Sequence, residues 1–78
     1  MPSLAPSALL RQHLREKIVE RIDHRELKHA EAAELLGFSL AQVSRLKSDQ
    51  DIFSLDRLVD AAEGIGLTVR VSATRPYG

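Results

Sequence analysis

Residues 30–46, AEAAELLGFSLAQVSRL, restrict the fold more than any other part of the chain. Ala30, Ala32, Ala33, Leu35 and Leu36 read as a short helix with a small-residue face, and Gly37 ends it. Glycine takes a left-handed conformation without a Cβ clash, so the chain can turn sharply there. Phe38 is an apolar plug for that turn. Ser39 then opens a second helix, and Gln42 follows three residues later. That spacing allows serine and glutamine to cap each other's backbone amides. Val43 and Leu46 lie three apart and face inward.

Two helices joined this tightly must cross closely, which needs a small residue at the crossing. Ala33 supplies it, with Ala32 beside it. The second helix buries Val43 and Leu46 and presents Leu40, Ala41, Gln42, Ser44, Arg45 and Lys47, with Ser39 at its tip. This is the layout of a helix-turn-helix, whose second helix can enter a major groove N-terminal end first. Free backbone N–H groups at that end also favour a phosphate.

The flanking sequence completes a small domain. Leu10, Leu14, Ile18 and Ile22 recur every four residues and predict an amphipathic helix over residues 7–24, with Ser7 as N-cap. Its charges form like-sign pairs, Arg11 with Arg15 and Glu16 with Glu20, so packing rather than an ion-pair ladder must hold it. No breaker stands near His24, Arg25 and Glu26, and a connection is placed there because the apolar phase restarts at Leu27. After a polar loop at 47–51, KSDQD, Ile52 and Phe53 are expected to anchor its end. Ser54 caps a further helix with Leu55, Leu58, Val59 and Ala62 inward, stopped by Gly64 and Gly66. Leu67, Val69, Val71 and Ala73 then alternate with polar residues, the pattern of a half-buried strand. A lone strand leaves its backbone groups unpaired, and the same strand of a second copy would satisfy them. A homodimer is therefore expected. The organisation reads as a flexible N-terminus at 1–6, a domain at 7–66, a dimerisation strand at 67–74 and a tail at 75–78.

Composition narrows the function. With 78 residues and no cysteine, the chain makes one small domain without disulfides or a Cys-based zinc site. His13, His24 and His29 are not spaced as metal ligands, so no metal or other cofactor is expected. The 11 basic and 11 acidic residues cancel, which disfavours a nonspecific polyanion coat but allows a local basic surface around one helix. The N-terminal segment lacks the pattern of a secretory signal, and no apolar run is long enough for a membrane, so a cytoplasmic protein is expected. Glu31, Glu34, Asp56, Asp60 and Glu63 read as solvated faces rather than paired catalytic groups, and the chain is not expected to be an enzyme.

The residues EAAELLGFSLAQVSRL followed by FSLDRLVDAAEGIGLTVRVS resemble the small XRE/Cro-type helix-turn-helix proteins related to HigA-like antitoxins. The resemblance runs from about Leu10 to Ala73. It implies an all-α, λ-repressor-like core of four to five helices with a C-terminal β-strand pairing across a dimer. It also implies double-stranded operator DNA as ligand, repression, and for members beside a toxin gene a cognate toxin as partner. Carried onto this chain, the DNA-facing residues are Lys28, His29, Ser39, Leu40, Gln42, Ser44, Arg45 and Lys47. The chain departs from the family where it has Lys28-His29 in place of a common Thr-Gln, and Ser39-Leu40-Ala41-Gln42 at the start of the reading helix. Asp49 and Asp51 stand in a loop that is often rich in Gly and Lys, at places where phosphates would lie. Individual residues have simpler readings too. Arg45 can pair with Asp49, Gln42 can serve only as a cap, Lys28 and His29 can be solvated, and Leu40 can fill a partner protein's groove. The last of these, with the acidic loop and neutral charge, frames the alternative of a protein-interaction module with weak or lost DNA reading.

Overall fold

The computed structural model describes residues 6–68. They form four helices: α1 Pro6–His24, α2 His29–Leu36, α3 Leu40–Lys47 and α4 Leu55–Gly64. No strand occurs among the described residues. Leu67 is half-buried against the core, Leu67 and Thr68 have no regular secondary structure, and the rest of the expected strand lies outside the described residues. α1 begins one residue earlier than expected, at Pro6, so Ser7 sits inside the helix and is not its N-cap. Proline suits that first turn because its missing N–H would have no helical partner there.

α1 packs along α4, and α2 bridges α3 and α4, while α1 also touches α3. Into the shared core go Leu14, Ile18 and Ile22 from α1, Ala32, Ala33 and Leu36 from α2, Val43 and Leu46 from α3, and Leu58, Ala61 and Ala62 from α4. Phe38, Phe53 and Ile65 close it from the connections. Each large side chain taken fully out of water contributes roughly 1.5–3 kcal/mol. The α1 stripe is deep only from Leu14 onward, since Leu10 is half-buried. Leu55 and Val59 of α4 are likewise half-buried, and Ala61 takes a core place the pattern did not assign. Ile52 does not anchor its loop: it is exposed, and Phe53 alone goes inward.

All four helices end on the same hydrogen-bond device. An amide two or three residues past the end reaches back five residues: Leu27 N–H to Ile22, Phe38 to Ala33, Gln50 to Arg45 and Leu67 to Ala62. The residue before each donor is left-handed: Glu26 (φ 54°), Gly37 (φ 74°), Asp49 (φ 61°) and Gly66 (φ 91°). This is the Schellman ending, in which glycine is favoured because other residues meet a Cβ penalty. Here two of the four positions do without glycine. Gly64 has another task. It is the last residue of α4 rather than its stop, and a Cβ built on it would collide with the Leu35 carbonyl oxygen. The close approach of α4 to the end of α2 depends on that missing side chain.

Candidate nucleic-acid interface

α3 is held from both ends and from beneath. The Ser39 hydroxyl oxygen accepts the Gln42 amide at 3.1 Å, and Gln42 Oε1 accepts the Ser39 amide at 2.9 Å. The expected reciprocal cap is therefore present. Val43 and Leu46 are completely buried. In the turn leading in, the Phe38 ring stacks on Phe53 with centroids 4.8 Å apart, and the Arg57 guanidinium lies 5.1 Å from the Phe38 centroid. Arg57 Nη2 also donates to Gln42 Oε1 at 3.4 Å. The turn is thus fixed by stacking and a cation–π contact as well as by Gly37.

The expected contact residues divide by environment. Ser39, Leu40, Ser44, Arg45 and Lys47 are exposed, and Gln42 is half-buried with its oxygen committed to the cap. Lys28 and His29 are exposed at the start of α2. Lys28 is the N-cap residue there, and its amide donates to Glu31 Oε1 at 2.8 Å. A lysine side chain has no lone pair to return the favour, so this cap is one-sided. Lys47 Nζ lies 3.9 Å from Asp23. Arg45 makes no ion pair among the described residues, and the pairing with Asp49 weighed as its alternative is absent because Asp49 is taken by Arg15. Arg45 instead lines a shallow depression with Ala41, Ser44, Ser48 and Gln50.

The two acids after α3 are turned to α1. Arg15, almost wholly buried, donates to Asp49 at 3.0 Å and to Asp51 at 3.0 Å. Arg11 grips Asp51 with two hydrogen bonds, at 2.8 and 3.0 Å. That grip is the main reason the Asp51 carboxyl is held below its ordinary pKa and the Arg11 guanidinium above its own. The charge of both acids, which are expected where phosphates would lie, is met by α1. α3 itself carries no acid and has Arg45 and Lys47 in its last turn. Its surroundings are thereby left suited to an anionic ligand.

Arg57, which touches Gln42 and Phe38, is the residue of the candidate interface that the sequence reading did not assign. A signal was available: it stands in the first turn of α4, three residues after the Ser54 cap, where a cation opposes the helix dipole. His13, His24 and His29 are all exposed, and no group of His, Asp or Glu able to hold a metal occurs among the described residues. No helix among the described residues is long and apolar enough to cross a membrane.

Two helices joined by a left-handed glycine, the second capped, pinned beneath and acid-free outside, define a helix-turn-helix protein. The helix-turn-helix domain family matches residues 2–74, nearly the whole chain, and the chain belongs to that family, of the XRE/Cro type. A DNA-binding regulatory role in general terms goes with this membership. Comparison with curated proteins and with solved structures found no match.

Proposed function

We propose that the chain is a sequence-specific repressor that binds operator DNA as a homodimer, with α3 of each copy in a major groove. The supporting observation is the sorting of charge around α3. Its outer face has no acid, Arg45 has no ion-pair partner among the described residues, and the neighbouring Asp49 and Asp51 are neutralised by Arg11 and Arg15. In this reading Arg45 takes a guanine edge or a phosphate by its fork. Lys28, Lys47 and the hydroxyls of Ser39 and Ser44 meet the backbone, and His29 flanks them. Gln42 holds the cap, because a two-point grip on adenine would require it to release Ser39.

Residues 67–74 pair across the two-fold axis in this proposal, through Leu67, Val69, Val71 and Ala73. The half-sites then fall about one helical turn, ~34 Å, apart on a palindromic operator. The resemblance to HigA-like antitoxins extends the proposal to a cytoplasmic antitoxin that represses its own operon and binds a cognate toxin. A second reading, a protein-interaction module, rests on the exposed Leu35, Leu40 and Ile52. It loses the support of the acidic loop, whose charges are already paired.

Selection from a randomised duplex library at low and moderate salt tests the proposal. Repressor activity predicts recovery of a palindrome with the stated spacing. Alanine at Arg45 then relaxes preference at defined bases, while alanine at Lys47 weakens all duplexes alike. No enrichment by a folded sample, with capture of a protein partner in the absence of DNA, supports the interaction module instead.

A further inference from the structure

The first turn of α3 commits the acceptor oxygens of its polar side chains to its own cap, leaving Ser39 only its hydroxyl proton to offer a phosphate. Ser39 and Gln42 cap one another, and Gln42 Oε1 receives Arg57 as a further donor. What remains outward in that turn is apolar: Leu40, 56% exposed, and Ala41, also exposed. Leu40 and Ser44 lie one helical turn apart on one face, as do Ala41 and Arg45, so each apolar group is followed by a polar or cationic one. Such a surface suits a ligand that is anionic along its rails and apolar at one point between them. In a major groove the base-edge group of that kind is the C5 methyl of thymine.

We infer that Leu40, with Ala41 beside it, reads thymine by its methyl group. This rests on the reading that α3 enters the major groove, and it assigns specificity at the leading turn to apolar contact rather than to hydrogen bonds. Arg45, further along α3, then supplies the polar readout.

The test uses the full chain and the duplex recovered by selection. Each thymine is replaced singly by deoxyuridine, which removes the methyl and preserves base pairing, and binding is read by fluorescence anisotropy. The expected result is a loss of roughly four-fold at one or two positions in each half-site, the factor that follows from burying one carbon. L40A should weaken binding to the thymine duplex and abolish the difference between thymine and uracil. Because Leu40 is exposed, the thermal unfolding of L40A should match wild type, which separates lost contact from lost fold. A second arm places 5-methylcytosine at each cytosine in turn. No gain there fits thymine, whereas a gain confined to 5-methylcytosine, with no uracil effect, overturns thymine as the source of the methyl. Uniform affinity across all uracil substitutions, or an L40A loss of equal size on both duplexes, overturns the inference while leaving DNA binding intact. Failure to select any duplex removes both.

Discussion

Replacing Gly64 by alanine isolates the contact that sets the distance between α2 and α4. Two effects oppose each other. Alanine favours helix over glycine by about 1 kcal/mol in a helix interior, and by less at a last residue. Against this, the new methyl meets the Leu35 carbonyl oxygen at a separation real Cβ atoms do not show. That oxygen belongs to the backbone and cannot rotate away, so the helices must part or bend, and overpacking of this kind costs about 1–3 kcal/mol. The net expectation is a loss of about 1–2 kcal/mol, or roughly 4–15 °C in melting temperature for a domain this small. Thermal and urea unfolding followed by circular dichroism measure it. Gly37 provides the contrast: a Cβ there meets no atom within 4 Å, and the obstacle is its φ of 74°. Asparagine, which tolerates that conformation, should therefore recover much of the loss caused by Gly37→Ala. It should recover nothing at Gly64. A Gly64→Ala protein as stable as wild type would refute the steric reasoning.

Glu26→Gly should raise stability by up to about 1 kcal/mol, because it removes the Cβ penalty of a left-handed residue; an unchanged or lower urea midpoint would count against that ending. Arg15→Met should cost less than about 1 kcal/mol, since an apolar chain replaces a buried ion and leaves only exposed carboxylates behind. Asp49→Asn with Asp51→Asn should be the more damaging change, as it leaves the buried guanidinium of Arg15 with less counter-charge; the reverse order in unfolding experiments would sink this account. Acid should act through the same cluster. With its pKa lowered from the ordinary 3.8, Asp51 contributes stability that is fully present above that value and lost as pH falls through the folded one. Urea midpoints should therefore drop more steeply in wild type than in Asp51→Asn below about pH 4.

The parts of the fold written in local spacing were legible. Ser39 and Gln42, the glycine at 37, the Val43–Leu46 stripe and the Ser54 cap all act over a few residues, and the structure has them where the spacing put them. The endings at Glu26 and Asp49 were not legible, because neither residue announces a left-handed conformation as glycine does. Asp49 gains a partner by turning there, the Arg15 guanidinium. That pairing spans 34 residues and the Arg11–Asp51 pairing spans 40, so no periodicity could reveal them. Yet they decide how the acidic loop bears on the candidate interface. Gly64 was misread for a related reason: a glycine that stops a helix and one that admits a neighbouring backbone look alike in sequence. Ile52 and Phe53 were both expected to turn inward as anchors of the loop end, but only Phe53 does so, stacked on Phe38, while Ile52 is exposed.

The central claim is that α3 reads base sequence, and its most direct test is a ratio of affinities. Dissociation constants would be measured at one fixed salt concentration for the selected palindrome and for a scrambled duplex of the same composition. A sequence-reading repressor predicts a preference of at least about 1,000-fold, reduced by Arg45→Ala at defined positions only. Equal affinity for the two duplexes, in a sample that unfolds cooperatively, would contradict the claim.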